Sequence, residues 1–180
     1  MKFLDKLKFK SSSKTIQVKN NLNRSSIYSI PVNGLDGRPI SLSDFKGKYV
    51  LFVNVASKCG FTPQYKELQS LQTEFQNKLV VVGLPCNQFA NQESDDAAKI
   101  QSFCERNFGV TFPLSEKLHV KGSKQHPLYQ WLTKKELNGK SNSSVKWNFQ
   151  KYLINEKGEF VDFFYSITKP NSSKITKYLK

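Results

Sequence analysis

Two largely apolar runs of strand length stand out in the pattern of hydrophobic and polar positions. Residues 49–56 and residues 79–84 are rich in β-branched and other apolar side chains, at odd and even positions alike. A strand that is apolar on both faces is typical of the centre of a parallel sheet with helices on both sides. The first run therefore predicts a buried central strand, and the second run predicts another buried strand.

The first predicted helix follows the first strand after a short turn. Leu68, Leu71 and Phe75 fall at positions i, i+3 and i+7, which form one apolar stripe on an α-helix. Thr62 suits the N-cap and Pro63 suits the first helical position. We therefore expect a strand, a turn and a helix in immediate succession.

The rest of the pattern completes an α/β order. A second helix is predicted over residues 94–107, opened by two aspartates near its positive end. The other predicted elements are a short hairpin over 27–31 and 34–37, a helical turn from residue 41, a helix over 126–135, a hairpin of 146–154 with 160–166 around the turn at 155–158, and a short helix after Pro170. This order predicts the α/β class, as a thioredoxin-like fold with a central mixed β-sheet flanked by helices. That fold does not by itself give an activity.

Length and composition predict one folded domain. With 180 residues, of which 38% are hydrophobic, the chain is long enough for one sizeable core and short for two. Residues 1–25 carry seven basic residues against Asp5 and lack a sustained period, so we expect a poorly ordered basic extension there. The domain is predicted over residues 26–180. No apolar run approaches the roughly 18 residues of a membrane span.

The formal net charge of +14 does not by itself indicate a nucleic-acid partner. The chain has no recognition-helix pattern, no zinc-ligand repeat and no aromatic residues interleaved with basic ones. We therefore expect no nucleic acid and interpret the charge as a solvated surface that can attract an acidic protein partner. His119 and His126 have no metal-ligand spacing, and neither a metal nor another cofactor is expected.

The three cysteines, Cys59, Cys86 and Cys104, cannot form a fully paired disulfide framework. An odd number of thiols fits a reducing compartment, and the N-terminal stretch lacks the continuous hydrophobic segment of a secretory signal. A cytoplasmic location is therefore predicted. Residues 1–25 are basic and nearly free of acidic side chains, which leaves an organelle transit peptide as the alternative.

Cys59 lies in the predicted turn between a strand and a helix. Unpaired backbone N–H groups and the helix macrodipole favour an anion at such a place, and Lys58 adds positive charge. No second cysteine follows three residues later, so the dithiol motif of disulfide oxidoreductases is absent. Taken alone, the pattern is equally compatible with a reactive thiolate and with a small buried hydrophobic residue.

Three segments around these residues carry motifs: NVASKCGFT at 54–62, LPCNQFANQE at 84–93 and VKWNF at 145–149. In sequence and in order they resemble the three signatures of the glutathione peroxidase family. The resemblance covers the chain from about residue 26 to its end. It implies a non-selenium peroxidase that reduces hydrogen peroxide and organic hydroperoxides, lipid hydroperoxides included.

The resemblance further implies a catalytic tetrad of Cys59, Gln92, Trp147 and Asn148. In this assignment the cysteine thiolate attacks the peroxide and becomes a sulfenic acid. The two amides and the indole N–H are neutral donors that can hold a thiolate and the departing oxygen. Without the resemblance to the family, Gln92 would be interpreted as a loop residue, Trp147 as a core aromatic residue and Asn148 as a turn residue.

Cys104 matches the resolving cysteine of the two-cysteine, thioredoxin-dependent branch of the family. The resemblance implies a disulfide between Cys59 and Cys104 that thioredoxin reduces, and local unfolding of the second helix to bring the sulfurs together. In the alternative, Cys104 is a helix residue and glutathione resolves Cys59. Cys86 stands where the family often has a cysteine without an assigned redox step, and we interpret it as structural.

The chain departs from the family pattern at two positions and lacks one insertion that some members have. Ala90 stands where the family usually has glycine, and Ser94 where it usually has proline. If the turn needs a positive φ at residue 90, alanine strains it and weakens the assignment of Gln92. Residues 134–145 lack the longer insertion that resembles the oligomerisation loop of tetrameric members, which favours a monomer.

Two other functions use the same residues. A peroxide sensor would relay oxidation from the cysteines to a partner protein, with the basic surface as its docking site. A thioredoxin-fold binding module without activity would have an unreactive Cys59.

Overall fold

The protein, described as a computed structural model, is built around a mixed β-sheet. The structure describes residues 26–180, so the basic extension predicted over 1–25 lies outside the described residues. The strands are β1 Tyr49–Val55, β2 Leu79–Pro85, β3 Lys151–Ile154 and β4 Phe160–Phe164, in the spatial order β2-β1-β3-β4. The first apolar run is thus a central strand, as predicted, and the second forms β2, a buried strand at the edge of this sheet.

The strand pairing determines which loops meet. β1 and β2 are parallel, with Tyr49 opposite Leu79 and Val55 opposite Pro85. β1 and β3 are antiparallel, and β4 returns antiparallel to β3. The segments that follow β1 and β2 and the segment that precedes β3 therefore leave the sheet at the same edge. These are the three segments that carry the motifs.

Helices cover both faces of this sheet. They are α1 Gln64–Glu74, α2 Ala97–Phe108, α3 Pro127–Thr133, α4 Lys135–Asn138 and α5 Ser173–Thr176, with two 3₁₀ turns at Ile27–Ser29 and Leu42–Phe45. Among residues 26–180, no helix combines the length and the hydropathy needed to cross a membrane. The mixed sheet with flanking helices agrees with the predicted fold class.

Successive side chains of β1 point alternately into two core layers. Val50 and Phe52 pack into the layer that α3 covers, whereas Leu51 and Val53 pack into the layer that α1, α2 and α5 cover. All four side chains are at most 2% exposed. Full burial of such a side chain is worth about 1.5–3 kcal/mol each, so this double-sided strand organises the whole domain.

Three local predictions were wrong at the level of single residues. Thr62 does not cap α1, which begins at Gln64, because the Thr62 hydroxyl is used inside the preceding turn. Residues 27–29 form a 3₁₀ turn and not a strand, since the Ser26 hydroxyl accepts from Tyr28 N–H at its start. Residues 146–150 lie outside β3, because Phe149 has a positive φ of 64° that an extended strand does not allow.

Candidate active site

The turn after β1 holds Cys59 at the edge of the core. Its side chain is 7% exposed, and the Phe61 N–H donates to its sulfur at 3.4 Å. The Thr62 hydroxyl accepts from the Cys59 N–H at 2.9 Å and donates to the Ala56 carbonyl at 2.8 Å, which closes the turn. The cysteine thus lies before α1 with a backbone N–H donating to its sulfur.

The loop after β2 lies against this turn. The Lys58 N–H donates to the Gln92 backbone carbonyl at 2.9 Å, so the residue before Cys59 is bonded to the second motif. The Gln92 side-chain oxygen in turn accepts from Asn148 Nδ2 at 3.1 Å. The first motif is therefore joined to the second, and the second to the third.

The Glu93 side chain also joins the turn after β1 to the loop after β2. The Ser57 hydroxyl donates to Glu93 Oε1 at 2.6 Å, and the Ser94 N–H donates to the same oxygen at 2.8 Å. Glu93 Oε2 is buried and has no hydrogen-bond partner among residues 26–180. Burial raises the pKa of Glu93. The site therefore has a buried carboxyl group beside it that the sequence motifs did not single out as functional.

The Gln92 loop does take a left-handed backbone at its non-glycine positions. Ala90 has φ 53° and Asn91 has φ 51°. Asparagine tolerates this region better than alanine does, so the departure from glycine at position 90 stores strain in the loop. Gln92 nevertheless reaches Asn148, so the strain does not displace it from the third motif.

The Trp147–Phe149 segment is held by Asn54 of β1. Asn54 Nδ2 donates to the Trp147 carbonyl at 3.0 Å, and the Asn54 carbonyl accepts from Phe149 N–H at 2.6 Å. The Trp147 ring packs against Phe89 with 5.4 Å between centroids and is 37% exposed. Asn148 is fully buried, its side-chain oxygen without a partner in the described part of the chain. The indole is therefore at the surface of the site and the amide is in its interior.

Cys104 lies on α2 and is fully buried in the same core layer as Cys59. All three thiols are free. Burial raises the pKa of Cys104 to about 11; the Glu93 carboxylate acts in the same direction, and the neighbouring Tyr65 hydroxyl opposes it. In this conformation Cys104 is a protonated core residue.

Of the five predicted site residues, the structure bonds Gln92 to Asn148 and places Cys59 one residue from the Gln92 backbone contact. Within residues 26–180, the hydrogen bond to the Cys59 sulfur comes from a backbone N–H, and none comes from the side chains of the predicted tetrad partners. Cys104 is buried in α2, separate from that network.

Cys86 and the two histidines are outside the site. Cys86 is fully buried in the opposite core layer, where burial raises its pKa. His126 caps α3 by accepting from Leu128 N–H through Nδ1 at 3.2 Å. Among residues 26–180, no group of three metal-ligating side chains comes together.

Sequence reasoning missed two residues next to the site, Gln64 and Lys151. Lys151 is fully buried, and its Nζ donates to Gln64 Oε1 at 2.6 Å. The sequence feature that could have revealed Lys151 is a lysine inside an apolar, strand-like run. It lies two residues before Leu153 and therefore on the same inward-facing side of the strand. Lysine is rarely fully buried in a protein core, so its position on this face needs a structural explanation.

Comparison with known proteins identifies the family. The sequence model described as glutathione peroxidase matches residues 27–133. A hydroperoxy fatty acid reductase gpx1 of Synechocystis sp. is 46% identical over 153 residues, which are 81% of this chain and 89% of that protein. A glutathione peroxidase-like peroxiredoxin GPX5 of Chlamydomonas reinhardtii is 46% identical over 146 residues, 81% of this chain and 90% of that protein.

Solved structures agree in fold. The crystal structure of Trgpx in its apo form superposes with a TM-score of 0.66 at 38% identity, covering 86% of this chain and 95% of that one. A thioredoxin-family thiol:disulfide interchange protein from Chlorobium tepidum has a TM-score of 0.58 at 15% identity, covering 87% and 97%, and shows the fold alone. The predicted thioredoxin-like fold is thereby confirmed. With the family model matching more than half of its residues, the chain belongs to the glutathione peroxidase family.

Proposed function

We propose that this peroxidase uses Cys59 as its nucleophile towards hydrogen peroxide and organic hydroperoxides, lipid hydroperoxides included. The observation that carries the proposal is the position of Cys59 in a closed turn before α1, with a backbone N–H on its sulfur and the Gln92 loop bonded to the adjacent residue. The thiolate forms an S–O bond while the O–O bond breaks. The sulfur loses two electrons and becomes a sulfenic acid, and the departing oxygen leaves as an alcohol or water after protonation.

Gln92, Trp147 and Asn148 are proposed to support this step as neutral donors. The bond from Asn148 Nδ2 occupies the Gln92 side-chain oxygen, which leaves the Gln92 NH₂ group to face another acceptor. A neutral amide stabilises a developing oxyanion or a thiolate without competing for its proton. Trp147 is partly exposed and is proposed to donate from the substrate side of the site.

Cys104 is proposed as the resolving cysteine. Its thiol loses a proton and attacks the Cys59 sulfenic acid, an S–S bond forms, the S–O bond breaks and water leaves. α2 buries only Ile100 and Cys104 completely, and a groove of about 710 Å³ separates its start from residues 34–40 and 111–114. Few buried contacts make a segment cheap to unfold locally, which supports release of Cys104 from the core.

The remaining steps are proposed from composition and from the relatives. A dithiol protein of the thioredoxin type is the proposed reductant, with glutathione as the alternative; a relative called a glutathione peroxidase-like peroxiredoxin supports the former. We also propose a monomer, a cytoplasmic location, and a peroxidase domain over residues 26–180. A peroxidase assay with thioredoxin or glutathione as the only reductant decides between the two, and light scattering gives the oligomeric state.

Three single variants test the cysteine assignments. Cys59→Ser is expected to abolish rapid peroxide consumption in stopped flow, whereas Cys86→Ser, which removes another buried thiol, keeps it. Cys104→Ser is expected to react once with peroxide but to form no intramolecular disulfide by non-reducing mass analysis. Fast turnover by Cys59→Ser would overturn the nucleophile assignment. A mixed disulfide between Cys104→Ser and one client other than thioredoxin would favour a sensor.

A further inference from the structure

A buried lysine whose hydrogen bonds within residues 26–180 include no carboxylate lies directly behind the site. Lys151 is on β3, fully buried, and its Nζ donates to Gln64 Oε1 at 2.6 Å and to the Phe149 carbonyl at 2.7 Å. Both acceptors are neutral amides. Glu67 is the nearby charge that favours the ammonium form, but it makes no ion pair with Lys151. Burial is the larger effect and lowers the pKa of Lys151 to about 7.

An apolar side chain would fill this core position at a lower free-energy cost. Burial of an amine is unfavourable unless its hydrogen bonds repay the lost hydration, and a lysine also loses more side-chain entropy than leucine or methionine does. The hydrogen bonds of Lys151 are therefore the feature that distinguishes it from an ordinary core residue. The acceptors of these hydrogen bonds therefore indicate the role of Lys151.

The acceptors belong to a network that ends on the backbone of the third motif. Gln64 Nε2 donates to the Ser166 carbonyl at 2.7 Å, and the Ser166 hydroxyl donates to the Asn148 carbonyl at 2.5 Å. Lys151 itself binds the next carbonyl, that of Phe149. Two consecutive carbonyls are thus held by α1, β3 and the segment after β4 together.

The backbone between these contacts is strained. Phe149 has φ 64°, a region that costs a bulky L-residue about 1–3 kcal/mol. Its N–H is bonded to the Asn54 carbonyl and its own carbonyl to Lys151, so both of its peptide groups are fixed. Asn148, the residue before it, donates from its side chain to Gln92.

We propose that Lys151, together with Gln64, is a positioning residue for the peroxidase reaction. Its ammonium or amine group holds the Phe149 carbonyl in the left-handed backbone conformation that aims the Asn148 amide at Gln92. The inference rests on the proposed function in one respect, namely that the Gln92 and Asn148 amides serve Cys59. Lys151 touches neither the substrate nor the reacting sulfur.

The test compares two substitutions on the same strand face. Lys151→Met keeps the length of the side chain and removes both hydrogen bonds, whereas Leu153→Ala opens a cavity in the same core layer without a bond to the third motif. We expect Lys151→Met to lower the second-order rate constant for Cys59 oxidation by about 10- to 100-fold, as small misplacements of reacting groups do. Leu153→Ala should stay within about threefold of the wild type, although a buried truncation of this kind costs about 2–5 kcal/mol.

A second readout follows the Asn148 amide directly. Its side-chain NH₂ resonance is identified by its loss in Asn148→Asp, and it should shift or broaden in Lys151→Met but not in Leu153→Ala. If Lys151→Met does not fold, Gln64→Met removes one of the two acceptors and should produce the same shift with a smaller loss of rate. An unshifted resonance, or a rate loss no greater than that of Leu153→Ala, overturns the inference.

The two proposals fail in different ways. If the wild type does not oxidise rapidly at Cys59, the proposed function fails, and the Asn148 resonance still decides whether Lys151 positions the amide. If the wild type reacts rapidly and Asn148→Ala is impaired while Lys151→Met is not, the proposed function stands and the positioning role is wrong.

Discussion

The Asn148 side chain donates from Nδ2 to the Gln92 side-chain oxygen at 3.1 Å, across 56 positions of sequence. This bond joins the segment before β3 to the loop after β2 and leaves the NH₂ group of Gln92 for another acceptor. Neither loop could orient its amide alone, because a free amide side chain rotates among several rotamers. The pair is therefore best understood as one hydrogen-bonding unit beside the Cys59 turn.

The first prediction follows from that unit. Gln92→Ala and Asn148→Ala are each expected to lower kcat/KM for peroxide by about 10- to 100-fold, and the double variant by clearly less than the product of the two, because each residue positions the other. Steady-state rates for the wild type, the two single variants and the double variant complete a double-mutant cycle. Independent, multiplicative losses would show that the two amides act separately.

The second prediction concerns the stability of the protein against pH. The pKa of Lys151 is about 7 in the folded protein and near its usual 10.5 in the unfolded chain, so between these values the folded state binds fewer protons. The free energy of unfolding should therefore rise with pH above 7, by up to about 1.4 kcal/mol per pH unit, and be insensitive to this group below 7.

Lys151→Met removes this dependence and serves as the reference. Urea unfolding of both proteins from pH 6 to 8.5 should show the wild type gaining about 1–2 kcal/mol relative to the variant above pH 7. Above that range the raised pKa of Cys104 acts in the opposite direction, since its thiol ionises more readily in the unfolded chain. Parallel curves for the two proteins would mean that Lys151 keeps its ordinary pKa when folded.

The third prediction concerns the reactivity of the thiols. In the reduced native protein at pH 8, iodoacetamide should modify Cys59 and spare Cys104, whose pKa of about 11 and complete burial both oppose attack. Burial is the main cause of the raised Cys104 pKa and the Glu93 carboxylate adds to it, so Glu93→Gln should lower that pKa only in part. Peptide mass analysis of alkylation against pH measures both effects. Rapid modification of native Cys104 would contradict the burial of its thiol.

The fourth prediction concerns the strain at Ala90. Its φ of 53° lies in the left-handed region, where glycine is free of the steric penalty that alanine bears. Ala90→Gly should therefore leave stability unchanged or raise it by up to about 1 kcal/mol, with peroxidase activity retained. Ala98→Gly in α2 is the matched control and should cost about 0.5–1 kcal/mol in thermal or urea unfolding. A clear loss from Ala90→Gly would show that the loop is not strained there.

The elements that could be predicted are those whose signal is local. The apolar run of β1 acts over a few residues and appears as expected, and the second helix also forms, although it begins at Ala97 with Asp96 as its N-cap. Residues 146–150 have a strand-like composition but form a bonded loop instead, because Asn54 holds the Trp147 and Phe149 peptides. That contact is between distant segments, so no local pattern contains it.

The sequence by itself indicated the two buried strands β1 and β2, the α/β order, and, through three motifs, the proposed site of Cys59 with its amide neighbours. These depend on side-chain type and local spacing, which the chain carries wherever it folds. Only the tertiary structure decided that Lys151 lies buried behind Phe149, that Glu93 fastens the Cys59 and Gln92 loops, and that Cys104 is a core thiol. A hydrogen-bond partner, a burial or a shifted pKa depends on which distant segments are packed together, and that is fixed only when the whole domain has formed.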